Sequence, residues 1–304
     1  METSKLLKNL EAPKIKVDMV LDTDAYNEID DQFAIAYALL SPEKINLKAI
    51  YAAPFYNNRS NGPADGMERS YNEILKLLEL ANREDMKAVT FRGATEYLPN
   101  EETPVMCDAV RDLIDRARTY TADEPLYVVA IGAITNVASA LIAAPDICDK
   151  IVIVWLGGAA WHLEKAREFN MMQDYAAARV VFGCGAPVVQ LPCDGVVSEF
   201  RISKPELEYW LMDKNPLADY LARNTIACAD SYAGGKPWTR VVWDVTAVAW
   251  VVDGKRFMKS TVEHSPIPEY DEYYSHQSRR HFMRYVNKIN RDALMDDLIK
   301  KLTK

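Results

Sequence analysis

Five acids fall within ten residues: Asp22, Asp24, Glu28, Asp30 and Asp31, at the end of the apolar run VDMVL. Packing that much negative charge at a strand end is costly unless a cation neutralises it. Carboxylate oxygens with no Cys or His beside them suit a hard ion, Ca²⁺ or Mg²⁺, better than zinc. A plainer reading fits the same residue types, because Asp30 and Asp31 would complement the dipole of a helix that they open. An isolated Asp-Thr-Asp decides nothing between the two.

Such a cluster works only if other elements converge on it. IKVDMVLDTD and LKAIYAAPF have the apolar character of strands, and DDQFAIAYALL and MERSYNEILKLLELA the spacing of helices. PLYVVAIGA followed by NVASALIAAP repeats the unit. The strand IVIVWLGGA, the helix DYAAARVVFGCG and the strand APVVQLP continue it. This alternation predicts an α/β fold, a mostly parallel, Rossmann-like central sheet flanked by helices. Ligands in such sheets sit beyond the carboxyl ends of the strands. The acids of Asp22-Thr23-Asp24, the loop Ile131-Gly132-Ala133 and the pair Gly157-Gly158 should therefore gather on one rim. A single domain over residues 1–304, with a more helical insertion near 200–240, is the simplest organisation.

At 304 residues the chain can bury one large core. Its net charge of −8 argues against wrapping a nucleic-acid backbone and favours a small-molecule ligand. No apolar run approaches the ~20 residues that span a bilayer, and METSKLLKNLEAPKIK lacks the apolar core of a signal peptide. Five widely spaced cysteines without a CxxC pair read as small buried residues in a reducing compartment. The cytoplasm fits best.

The wider pattern narrows the options. VLDTD-AYNEI-DDQFAIAYALL resembles the signature of the inosine-uridine nucleoside hydrolase family, DxDxxxDD followed by a helix. IGAITNVASAL, the GG…EFN…D run from Gly157 to Asp174, and WDVTAVAWVVD from Trp243 follow in the family's order, so the similarity spans about residues 15–300. The resemblance implies a homodimer or homotetramer that hydrolyses a nucleoside to ribose and free base with Ca²⁺. Asp24 would then ligate the ion and act as general base toward the attacking water. Asp31, Asp244 and the backbone carbonyl of Ile131 would complete the ligands. Asp30, Glu168 and Asn170 would hold the ribose hydroxyls, with Asp22 supporting the site from behind. The chemistry is coherent, because cleaving an N-glycosidic bond builds oxocarbenium-like positive charge on the sugar. A carboxylate-rich pocket stabilises that charge in the transition state and not in the neutral ground state.

Three departures from the family pattern concern the base. The acidic motif is two residues longer than usual, so that Asn27 and Glu28 enlarge the loop; an outward bulge is expected ahead of a Glu28 that reaches metal or ribose. Trp243 stands where pyrimidine-accepting or nonspecific members carry a histidine, as it does in the purine-specific branch. A stacked indole suits a bicyclic base, so purine or purine-like nucleosides lead. The segment FRGATEYLPNEETPVMCDA lacks the family's histidine- and glycine-rich loop, and the run around Trp161, His162 and Lys165 is short. Asn57 and His162 are further candidates for the site. Gly234-Gly235 suggests a mobile loop whose Trp238 could cap the base. His276, Arg279, Arg280, His281 and Arg284 form a basic cluster, read first as a solvated face or subunit contact; the sharper reading brings Arg279 or His281 to the leaving group. The competing functions are hydrolysis of a modified nucleoside or other N-riboside, and a catalytically weak ribose- and metal-binding protein. A phosphatase of the haloacid dehalogenase type ranks last, since its later Lys and second acidic pair have no matching context.

Overall fold

A computed structural model describes residues 2–304. After helix α1 (Thr3–Asn9), strand and helix alternate through β1 (Val17–Thr23), α2 (Asp30–Leu39), β2 (Ile45–Ala52), α3 (Pro63–Leu80), β3 (Thr90–Arg92), α4 (Asp108–Ala117), β4 (Leu126–Ala130), α5 (Thr135–Ala143) and β5 (Ile151–Leu156). Two helices, α6 (Phe169–Gln173) and α7 (Tyr175–Gly183), precede β6 (Val188–Leu191). A small ribbon of β7 (Arg201–Ser203) and β8 (Thr239–Val241) brackets α8 (Lys204–Trp210) and α9 (Pro216–Ala233). The chain closes with α10 (Val245–Phe257), β9 (Met258–His264), β10 (Ile267–Pro268), β11 (Tyr274–Ser275), β12 (Phe282–Ile289) and α11 (Arg291–Leu302).

Eight strands form one sheet in the order β3-β2-β1-β4-β5-β6-β12-β9. All neighbours run parallel except the edge pair β12 and β9. The strand order reverses at β1, which is flanked by β2 and β4, and a ligand crevice opens at such a reversal. Helices cover both faces, so β4 and β5 are buried along their whole length. Phe33, Leu77 and Trp250 belong to the core on one face, and Leu113, Val137 and Phe182 to the core on the other.

This architecture is the one expected from the βα alternation. Two further members of the sheet are β9 and β12, and the second begins inside the stretch that reads in sequence as a basic cluster before the last helix. Every residue of α2 is buried, so the acids of its first turn face protein and not water. Among the cysteines only Cys193 is buried; Cys107, Cys148, Cys184 and Cys228 are half-buried, contrary to the expectation of five buried thiols. No helix among the described residues is long and apolar enough to cross a membrane.

Candidate active site

The carboxyl ends of β1, β4 and β5 bring the expected residues to one rim. Asp22 ends the pairing of β1 with β4, and Ile131 N–H donates to its carbonyl at 2.9 Å, carrying that pairing to the rim. Asp24 follows the strand and is fully enclosed, and neither of its carboxylate oxygens has a hydrogen-bond partner. Gly132 makes this approach possible, since a Cβ there would lie 2.8 Å from Asp24 Oδ1. Asp30 and Asp31 open α2, and Asp31 accepts from the hydroxyl of Thr23. Asp244 opens α10 from the far side of the site. Carboxylate oxygens of Asp30, Asp31 and Asp244 all lie within 4.8 Å of one another.

Burial and mutual repulsion dominate the electrostatics here. Burial pushes Asp22 up to about 7, Asp30 up to about 8 and Asp31 up to about 6. Asp24 and Asp244 are also raised well above the carboxylate range, by burial first and by their acidic neighbours second. A hard divalent cation resolves this arrangement. The donor set is all oxygen, and the orphaned oxygens of Asp24 and Asp22 Oδ2 are buried polar atoms that need a partner.

Asp22 stands behind the cluster, where its Oδ1 accepts from Asn136 Nδ2 at 2.7 Å. Asn136 also takes the N–H of Ala94 on its Oδ1 at 2.8 Å, tying the start of α5 to the segment after β3. Asn136 escaped the sequence reading, although it sits inside the quoted block IGAITNVASAL.

The opposite wall comes from the Glu168-Phe169-Asn170 segment. Glu168 caps α6, and its carboxylate accepts the N–H groups of Gly158 (2.8 Å), Asn170 (2.9 Å) and Met171 (3.2 Å). Burial raises its pKa while these N–H groups oppose the rise. Gly158 has φ +77°, and a Cβ there would run into the Tyr274 hydroxyl, so only glycine presents this N–H. The Asn170 amide donates to the carbonyls of Ile131 (3.1 Å) and Leu156 (3.0 Å). Those two bonds fix its orientation and leave Oδ1 as the acceptor.

A cavity of about 160 Å³ lies between these walls; its lining includes Asp30, Asp31, Ile131, Glu168, Asn170, Trp243 and Asp244. Asp24 does not itself line it. Asp30, expected at the ribose, thus shares the carboxylate cluster as well as the cavity wall.

Several expectations are corrected. The enlarged loop does not bulge outward: Asn27 is buried and accepts from Asn57 Nδ2 at 2.6 Å, while Glu28 lines the cavity and pairs with Arg240. Asn57 acts through Asn27 and is not on the cavity wall. His162 sits exposed on a turn, and Lys165 pairs with Glu272. Trp161 stacks on Tyr285 with ring centroids 4.1 Å apart. The indole N–H of Trp238 donates to Asp230 on α9 at 2.8 Å, which holds the ring away from the cavity.

The basic cluster disperses. Arg279 is exposed, Arg284 pairs with Glu11, and Arg280 donates to the Phe182 carbonyl at the end of α7. Since β12 runs parallel to β6, His281 lies toward the edge where β6 begins, opposite the site. Burial, then Arg280, pushes His281 down to about 4. The neutral ring is therefore favoured in the fold, and the contribution of His281 to stability should be lost as pH drops from about 6.5 toward 4. His281→Gln is expected to flatten that limb of a urea-stability profile relative to the parent chain; an unchanged slope would refute the assignment.

A profile of the family described as inosine-uridine preferring nucleoside hydrolase matches residues 19–296. The pyrimidine-specific ribonucleoside hydrolase RihA of Escherichia coli O1:K1 / APEC is 29% identical over 273 residues, 81% of this chain and 82% of that protein. Among solved structures, the plant nucleoside hydrolase PpNRh1 superposes with a TM-score of 0.77 at 20% identity, covering 94% of this chain and 99% of that one. A purine-preferring ribonucleoside hydrolase from Gardnerella vaginalis does so with a TM-score of 0.75 at 21% identity, covering 94% and 98%. These two structures share the fold. The chain belongs to the inosine-uridine preferring nucleoside hydrolase family, whose members are metal-dependent enzymes that hydrolyse the N-glycosidic bond of ribonucleosides.

Proposed function

We propose that this chain is a calcium-dependent N-ribohydrolase acting on purine or purine-like ribonucleosides, giving ribose and free base. The observation that carries this reading is the buried carboxylate cluster at the strand-order reversal, opening into a cavity whose other side bears Glu168, Asn170 and Trp243. In this reading Asp24, Asp31, Asp244 and the Ile131 carbonyl hold the ion. Bound Ca²⁺ supplies charge neutralisation and a positioned, more acidic water.

The chain's own residues do the rest. Asp24 takes the proton of the attacking water, a carboxylate being a competent general base once the ion keeps it unprotonated. Asp30, Glu168 and the Asn170 Oδ1 orient the ribose hydroxyls, which fixes C1′ for attack. The surrounding carboxylates favour positive charge as it grows on the sugar.

Similarity to RihA taken alone would favour a pyrimidine; the half-buried Trp243 on the cavity wall is what favours a bicyclic base. Base–aromatic stacking is worth about 1–3 kcal/mol. Trp243→Ala is therefore expected to lower kcat/KM on purine nucleosides by about 10- to 100-fold while binding of ribose changes little. Equal losses in both would show the indole to be a packing element only. A panel of purine, pyrimidine and modified nucleosides, assayed for reducing sugar, tests the base preference, and faster release from uridine or cytidine than from every purine would refute it. The same reading takes the protein as a cytoplasmic homodimer or homotetramer, which light scattering checks for the assembly.

A further inference from the structure

The two residues that enlarge the acidic loop build a feature of their own. Asn27, fixed by Asn57 and by Arg59, holds the loop against the β2–α3 connection. Glu28 then stands at the cavity, where its carboxylate meets the guanidinium of Arg240. Arg240 comes from β8, three residues before Trp243, and only 20% of its side chain is exposed. A second nitrogen donates to the Tyr232 hydroxyl at 2.8 Å, and its Nε–H is enclosed without an acceptor. The result is a carboxylate acceptor on the cavity wall with a guanidinium donor against it, Arg240 itself standing just outside the residues that line the cavity.

We propose that Glu28 and Arg240 form the specificity edge of the base site, Glu28 accepting a ring N–H of the base and Arg240 donating to the adjoining carbonyl. The proposal rests on the nucleoside hydrolase reading above and deepens it. Among purines the pair selects the lactam edge of a 6-oxopurine. Adenine would bring no N1 proton to Glu28 and would aim an amino group at the guanidinium, leaving charged groups unpaired. During cleavage the C1′–N9 bond breaks, its electron pair passes to the base, and the water oxygen bonds to C1′. The water's proton goes to Asp24 and then to solvent, from which the base regains one. Arg240 surrenders no proton; it stabilises the charge that spreads to the carbonyl oxygen.

The test compares the parent chain with Glu28→Gln, Arg240→Gln, Arg240→Lys and the double glutamine variant, each saturated with Ca²⁺. Substrates are inosine, adenosine and p-nitrophenyl β-D-ribofuranoside, whose leaving group has no lactam edge. Each glutamine variant should lose about 10²- to 10³-fold in kcat/KM on inosine and at most about threefold on the p-nitrophenyl riboside. The inosine-to-adenosine ratio should fall toward one, Arg240→Lys should recover only part of it, and the double variant should be no worse than the poorer single. Parallel losses on all three substrates would show that the pair merely holds the loop, and unchanged inosine kinetics would equally overturn the proposal. If the parent chain cleaves none of the three, the purine N-ribohydrolase reading fails and this assignment fails with it.

Discussion

The Asp24→Ala variant is expected to lose about 10³-fold or more in kcat on the best nucleoside, the upper range for removing a general base. Asp24 is the one acid of the cluster with both carboxylate oxygens orphaned and fully enclosed. In the proposed mechanism alanine removes both the proton acceptor and one oxygen of the ion site. Asp24→Asn separates these jobs, because the amide keeps an oxygen for the ion but cannot take the proton. It should retain Ca²⁺-dependent thermal stabilisation while sharing the loss of kcat. Saturation kinetics with a reducing-sugar readout measure both, and a retained rate above a tenth of the parent's would exclude Asp24 as the base.

Removal of the ion should have the second largest effect, and its size should depend on pH. Asp22, Asp30 and Asp31 have folded pKa values of about 7, 8 and 6, all above the unfolded carboxylate value of about 4. Groups raised in this way contribute stability below the unfolded value and lose it as pH rises through the folded values. The metal-free protein should therefore weaken as pH climbs from about 4 to 8. A cation competes with these protons, so its stabilisation should grow over the same window. Saturating Ca²⁺ is expected to raise Tm by about 5–10 °C at pH 8 and by much less at pH 5.5. Chelation should abolish turnover, and added Ca²⁺ should restore it. A pH-independent shift, or full activity after exhaustive chelation, would contradict the ion site.

Much of the site was legible because it lies in contiguous blocks at strand ends. Asp22 to Asp31, Glu168-Phe169-Asn170 and Trp243-Asp244 each combine an element boundary with side chains that have little other reason to be there. The partners of these residues were not legible. Asn136 and Asp22 are separated by 114 positions, and Arg240 and Glu28 by 212, so only the fold reveals that they pair. Without Arg240 in view, the added Glu28 reads as a solvated loop acid.

The fold shows the same division. Strands covered on both faces, such as β4 and β5, announce themselves as apolar runs. The edge strand β9 exposes Lys259, Thr261 and Glu263 on alternate positions and carries no such run. Its pairing with β12 places His264 beside Phe282 and draws the segment around His281 to the sheet edge. The alternative that brings His281 to the leaving group fails for this reason, since the pairing sets it at the opposite end of the strands.

The central claim is that water, not phosphate, cleaves a nucleoside here with the help of Ca²⁺. The most direct measurement follows inosine and guanosine by proton NMR with the chelated, Ca²⁺-restored protein in phosphate-free buffer. The account predicts equimolar ribose and free base, appearing only after the ion is restored and unchanged in rate by added phosphate. A requirement for phosphate with ribose 1-phosphate as product, or no base release from any nucleoside with the ion present, would contradict it.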